Sequence, residues 1–237
     1  MIPCLNEEGA LGQVLDELPW QTEELRVVVV DNGSTDGSAE VAVGHGVEVV
    51  HEPRRGYGSA CLRGLSERHG ERFIVFLDAD HSDYPEELPL LLEPLRAGKA
   101  DLVIGSRMQL EASRRALLPQ ARWGNRLAAW ILRTCYGQAA TDLGPFRAIT
   151  AEALDRLGMR DPTFGWTVEM QARAARLSLR TVEVPVRYRN RIGTSKISGT
   201  VSGTLRASAK ILWTLAKLRL ARIDQPADSR SARPSGS

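Results

Sequence analysis

Five apolar residues, Phe73 to Leu77, run into Asp78-Ala79-Asp80 and then His81-Ser82-Asp83-Tyr84-Pro85. An unbroken apolar run of that length suits a strand buried on both faces of a parallel sheet, which puts the acidic pair where the strand emerges into a loop. Two carboxylates one residue apart at a strand end can jointly hold a hard divalent cation, and the cation can hold a diphosphate. Ligands of open α/β sheets bind at that carboxyl edge.

A second edge reinforces the first. Val27 to Val30 leads into Asp31-Asn32-Gly33-Ser34-Thr35-Asp36-Gly37, a polar loop of turn formers ahead of a helix that Asp36 is placed to cap. Asp31 can accept hydrogen bonds from a base or ribose there. With the acidic loop Asn6-Glu7-Glu8, these strand ends describe a nucleotide site.

The elements that must position these groups alternate. Leu25 to Val30, Val47 to His51, Phe73 to Leu77 and Asp101 to Ile104 read as strands, and Ser38 to Gly44, Gly58 to Gly70 and Pro85 to Ala97 as helices bounded by Gly or Pro. The alternation predicts an α/β fold, a mostly parallel central sheet with helices on both faces. Met1-Ile2-Pro3 has the character of the last residues of a strand, so the natural start is expected several residues upstream. Farther on, Arg122 to Tyr136 is predicted as a helix turning Trp123, Leu127, Trp130, Ile131 and Leu132 toward a core. Ala151 to Leu157 and Phe164 to Leu177 are two more helices, and Thr181 to Tyr188 a late strand with Val182, Val184 and Val186 alternating.

Bulk properties narrow the class. The 237 residues suit one domain with a small appendage, and 43% hydrophobic with 25% charged residues supplies a sizeable core. A net charge of +2 argues against a dedicated nucleic-acid partner, although the last third is rich in Arg and Lys. Cys4, Cys61 and Cys135 form no framework and, with four scattered histidines, no zinc pattern, which fits a reducing compartment. No apolar run reaches the roughly 20 residues that span a bilayer. The expected location is the cytoplasm.

Ile2-Pro3-Cys4-Leu5-Asn6-Glu7, Val30-Asp31-Asn32-Gly33-Ser34-Thr35-Asp36, Gly56-Tyr57-Gly58, Asp78-Ala79-Asp80 and Gly105-Ser106-Arg107 follow in the order seen in family-2 glycosyltransferases of the GT-A fold, which the chain resembles. Thr141-Asp142-Leu143-Gly144-Pro145-Phe146-Arg147, Gly165 to Met170, and Val184-Pro185-Val186-Arg187-Tyr188 through Ser195-Lys196 extend the resemblance over about Met1 to Ile211. It is nearest to the dolichol-phosphate mannose synthase group and its bacterial polyprenyl-phosphate relatives. The resemblance implies a GT-A catalytic domain over residues 1–200, with Pro3, Asn6 and Glu7 as the nucleotide-facing loop, Asp31 at the base and Asp78 near the ribose. It implies Asp80 as main ligand for Mg²⁺ or Mn²⁺, with Asp78 assisting across Ala79, and Arg107, Arg147, Arg187 and Lys196 gathered around the phosphates. Three positions depart from the pattern: Leu5 for a common aromatic, Asn32 for a second Asp, and Ser82 for the Gln of some relatives.

The implied reaction is inverting transfer of a hexose from UDP- or GDP-sugar to a polyprenyl monophosphate. Breaking the anomeric bond builds charge on the departing diphosphate, which a divalent ion and Arg or Lys stabilise. A phosphate acceptor is already ionised, whereas a hydroxyl acceptor on a glycan, metabolite or lipid, the alternative, needs a general base. Asp142 is the candidate base in that second case, and in the first it holds the donor sugar or a cationic neighbour. Arg189 and Arg191 add cations that serve either the phosphates or a solvated loop. Residues 191–200 read as an ordering lid. Residues 201–223 read as an amphipathic helix, with Val201, Leu205, Ser208, Leu212, Leu215 and Arg219 on one stripe, suited to the membrane surface on its cytoplasmic face. Residues 224–237 read as a disordered tail.

Overall fold

The structure is a computed structural model that describes residues 1–193 and 201–220. In chain order it runs β1 (Ile2–Cys4), α1 (Glu8–Asp16), β2 (Val28–Asp31), α2 (Ser38–Gly44), β3 (Glu48–His51), α3 (Tyr57–Leu65) and β4 (Phe73–Phe76). A 3₁₀ turn at Pro85–Glu87 leads to α4 (Leu88–Arg96), β5 (Leu102–Ser106), α5 (Glu111–Ala116), α6 (Pro119–Tyr136), β6 (Arg147–Thr150), α7 (Ala151–Leu157), α8 (Trp166–Arg176), β7 (Thr181–Pro185) and α9 (Val201–Leu220).

Strands β1, β2 and β3 pair in parallel, and a second group pairs in the order β4-β6-β5-β7. The groups meet at Met1, whose carbonyl accepts from Leu77 N at 3.1 Å and whose amino group donates to Val75 O at 2.9 Å. The strands therefore read 3-2-1-4-6-5-7. Chain direction across the sheet reverses between β1 and β4, and a crevice opens at such a switch point. This is the expected GT-A architecture. Its one feature the alternation does not reveal is β6, antiparallel to both β4 and β5. The sequence Arg-Ala-Ile-Thr has no apolar run to announce a strand, and it opens on an arginine that is fully buried.

Helix α6 corrects an expectation. Trp123, Leu127 and Trp130 are 71%, 46% and 62% exposed, while Asn125, Ala128, Ala129 and Leu132 face inward. A helix with Trp on one side and Ala on the other can bury either face, and two contacts choose. Asn125 Nδ2 donates 2.7 Å to buried Asp142, and the small Ala128 lets α6 approach Val168 and Ala172 of α8. Helix α9 gives Leu215 and Leu218 to that same cluster, so this part of its apolar stripe is covered by the domain. The tail at 224–237 lies outside the described residues.

One glycine is dictated by packing that also shapes the site. At the start of α3, Ser59 N donates to Pro162 O at 2.8 Å and Gly58 N to Thr163 O at 3.3 Å. A Cβ on Gly58 would overlap the Asp161 carbonyl oxygen. Gly58→Ala is expected to destabilise the protein by about 1–3 kcal/mol, the usual cost of overpacking against backbone. Urea unfolding of the two proteins measures it.

Candidate active site

A cavity of about 310 Å³ opens at the carboxyl ends of β1, β2 and β4, lined among others by Pro3, Leu5, Glu7, Asn32, Tyr57, Asp78, Asp80 and Arg191. A larger one, about 830 Å³, lies toward the amino ends of β2 and β4. Its wall pairs Arg96 with Glu23 and Arg26 with Glu71, and the acidic strand ends open into the smaller cavity instead.

The loops after β1 and β2 are laced together. Asn6, at φ 53, accepts from Thr35 N at 2.7 Å, Ser34 Oγ accepts from Asn6 N at 3.0 Å, and Ser38 Oγ accepts from Glu7 N at 2.9 Å. Asp31 accepts from Ser34 N at 2.9 Å and faces His51 Nδ1 at 3.0 Å. Burial pushes its carboxyl up, yet these partners outweigh burial and hold it below the ordinary value. Asn6 and Asp31 thus brace the loops, while Pro3 and Glu7 line the cavity. Asn32, where a second Asp is common, staples the wall: its amide donates to Glu52 O and Arg54 O and accepts from Gly56 N at 2.8 Å.

The acidic pair sits as expected at the end of β4. Asp80 Oδ1 accepts from Ser82 N at 3.0 Å, and Asp80 Oδ2 lies 3.0 Å from Arg191 Nη1. The same guanidinium donates to Glu7 Oε1 at 2.6 Å, so one cation spans both acidic strand ends. Asp78 Oδ1 is buried without a hydrogen-bond partner. Burial first, and then the negative charge of Asp80, push its carboxyl up to about 7. Two hard oxygen donors, one of them orphaned and the other already on a cation, are the chemistry a divalent ion requires. Among the described residues no cluster of three His, Cys, Asp or Glu could hold a metal, so phosphate oxygens and water would complete the shell.

Sequence reasoning passed over two further groups. Asp83, in a bridge with Tyr188, is 2% exposed with both carboxylate oxygens unpartnered, and burial, then Asp78, raise its pKa well above the ordinary value. The Tyr57 hydroxyl, in the cavity wall, is likewise buried with no hydrogen bond of ordinary geometry, and it faces the Asp78 carboxyl, whose pKa it helps hold down. An acid or phenol inside a loop motif carries no mark in sequence; its orphaned burial does.

The basic residues do not gather as expected. Arg107 donates to Asp142 through its backbone N, Nε and Nη2 at 2.8, 2.8 and 2.7 Å, and stacks on Tyr188. Arg147 is fully buried and donates to the carbonyls of Leu143, Gly144 and Thr167, so its burial needs no anion; burial pulls its pKa down to about 10. Arg187 pairs with Glu86 and Glu87 over the Tyr84 ring, outside the cavity. Arg189 binds Glu17 and His81 O. Lys196 and most of the expected lid lie outside the described residues. Among the described residues, Arg191 is the cation paired with the acidic pair.

Asp142 is the cationic neighbour's partner. With Asn125 Nδ2 at 2.7 Å added to the three Arg107 donors, each of its oxygens accepts two hydrogen bonds, and the residue is 0% exposed. Burial raises its carboxyl, but Arg107 outweighs that and holds it low. A carboxylate so satisfied and held low is a weak proton acceptor, which favours its expected role of holding a cationic neighbour over that of base.

Comparison with known proteins agrees with the geometry. Residues 1–158 match the family model described as glycosyl transferase family 2. A glycosyltransferase of Mycobacterium tuberculosis is 40% identical over 208 residues, 87% of this chain and 92% of that one. An undecaprenyl-phosphate mannosyltransferase of Micrococcus luteus is 35% identical over 220 residues, covering 86% and 88%. Among solved structures, glucosyl-3-phosphoglycerate synthase from Mycobacterium tuberculosis, in complex with Mn²⁺, uridine diphosphate and phosphoglyceric acid, superposes with TM-score 0.75 at 23% identity over 94% of this chain and 78% of that one.

Two outcomes follow from the acidic pair. Because Arg191 competes for Asp80, Arg191→Ala is expected to tighten Mn²⁺ binding without nucleotide about five-fold, the worth of an ion pair of about 1 kcal/mol; isothermal titration reads it. The Asp78 pKa is pushed up from the ordinary 3.8 to about 7, so the metal-free folded state holds that proton more tightly than the unfolded chain, and this group's contribution to stability falls as pH rises from about 4 to 7. Mn²⁺ must displace the proton, and its affinity is expected to drop roughly tenfold per unit below pH 7 and to level off above.

Proposed function

The chain belongs to glycosyl transferase family 2, and from that premise we propose that it moves a hexose from a UDP- or GDP-sugar to a polyprenyl monophosphate, with inversion at the anomeric carbon. The carrying observation is Asp142. The side chain a hydroxyl acceptor would recruit as base is locked in four hydrogen bonds by Arg107 and Asn125, whereas an ionised phosphate needs orientation alone. The 35% identity to an undecaprenyl-phosphate mannosyltransferase supports the same acceptor class.

The residues divide the work. Pro3, Glu7 and Asn32 wall the nucleotide side of the cavity, with Asp31 and Asn6 holding its loops in register. Asp78 and Asp80 would hold Mg²⁺ or Mn²⁺, which when bound neutralises charge on the leaving diphosphate. Arg191, released from Asp80 and Glu7 as they turn to the incoming ligands, places its guanidinium where two acidic strand ends meet, suited to gripping phosphate oxygens bidentately. Arg107 is held rigid by Asp142 and presents the turn after β5.

The test is incubation with Mn²⁺, labelled UDP-glucose or GDP-mannose, and either polyprenyl phosphate or water-soluble acceptors including phosphoglyceric acid. Label is expected in the organic phase with polyprenyl phosphate, and Asp80→Ala is expected to reduce it at least 100-fold, the scale of losing electrostatic stabilisation of the leaving group. Transfer to water-soluble acceptors alone would overturn the reading.

A further inference from the structure

Trp123, Leu127 and Trp130 recur at the i, i+4, i+7 spacing that places side chains on one helix face, and all three are exposed. The opposite face of α6 carries Asn125, Ala128 and Leu132 and is fully engaged by the domain. Two tryptophans and a leucine exposed on one helix face are more than the scattered apolar residues of an ordinary surface. Helix α9, packed beside α6, adds exposed Leu212 and Trp213.

The charge around this surface has one sign. Over the 18 residues of α6 and the 20 of α9 there is no Asp or Glu, against three Arg in α6 and four Lys or Arg in α9. Lys210 is spent on Asp161 at 2.9 Å, but Arg126 stands exposed and lies 5.9 Å from the Trp123 ring centre. We propose that the Trp123–Leu127–Trp130 face of α6, with Leu212 and Trp213 of α9, docks on an anionic lipid bilayer. Tryptophan favours the boundary between water and hydrocarbon, where its ring is buried and its N–H stays wet, and flanking arginines meet anionic headgroups. A second copy of the chain is disfavoured as occupant because each copy would bring the same cations to the contact.

The inner sides of these helices reach the site. Asn125 of α6 holds Asp142, and Lys210 and Thr214 of α9 hold Asp161, whose loop continues into Thr163 and Phe164 in the cavity wall. A bilayer under these helices is therefore linked to the cavity wall through α9 and the Asp161–Phe164 loop, which suits delivery of a lipid-borne phosphate. The surface deepens the polyprenyl-phosphate reading and rests on it for its purpose, and the two can fail separately.

Sedimentation of the full chain with vesicles lacking polyprenyl phosphate tests it. Binding to vesicles of phosphatidylglycerol and phosphatidylcholine is expected to exceed binding to phosphatidylcholine alone at least tenfold. Trp123→Ser with Trp130→Ser is expected to lose at least tenfold, while Val43→Ser, exposed on α2, changes nothing. Equal binding by the double variant, with unchanged circular dichroism, would overturn the proposal. So would a dimer in light scattering that the double variant dissolves, or capture by an acidic protein without vesicle binding. Vesicle binding without any lipid-linked product would sustain the surface and remove the acceptor reading instead.

Discussion

Three carboxyl groups concentrated at a buried strand end are the constraint around which this molecule is arranged. Asp78, Asp80 and Asp83 crowd the exit of β4, two of them without hydrogen-bond partners on at least one oxygen. Charge in such a place is expensive unless a cation answers it. The protein supplies Arg191 to Asp80 and Glu7 and leaves Asp78 with a raised pKa, a partial answer that a stronger cation improves. Much of the surrounding architecture keeps that arrangement from collapsing.

Two clamps do this. On one side the laced loops after β1 and β2 fix the wall through Asn6, Ser34 and Ser38, each hydrogen-bonded to backbone of the other loop, and Asn32 ties them to the segment after β3. On the other, Asp142 ties the turn after β5 to α6 through Arg107 and Asn125, and Arg147 ties the following loop to α8 through carbonyl oxygens. Buried arginine satisfied by carbonyls is a structural rivet here: its planar fork suits three fixed acceptors. Between the two clamps stands Arg191, which belongs to the segment after β7 and pairs with Glu7 and Asp80.

The sequence made the acidic edges legible because an apolar run ending in carboxylates has few other meanings in an alternating α/β chain, and Asp78, Asp80, Pro3 and Glu7 all line the cavity. It misled on arginine. Arg147 and Arg187 beside apolar segments look like groups awaiting an anion, but carbonyls satisfy one and Glu86 and Glu87 the other, partners distant or unremarkable in sequence. Arg191 read equally as a phosphate ligand or a solvated loop cation, and only the fold brings it 3.0 Å from Asp80. Periodicity located α6 but could not orient it, since the tie from Asn125 to Asp142 spans two elements and outweighs burial of two tryptophans. The same tie leaves those tryptophans outside, which is how a misjudged core face becomes a surface with its own chemistry.

The central claim is that Asp78 and Asp80 form a cation-dependent receptor for a nucleoside diphosphate sugar. Calorimetric titration of the donor into the protein with and without Mn²⁺, repeated on Asp80→Asn, measures it most directly. The account predicts donor binding that requires Mn²⁺ and is lost in the variant while its fold persists. Equal donor affinity without the cation, or undiminished Mn²⁺-dependent binding by Asp80→Asn, would contradict it.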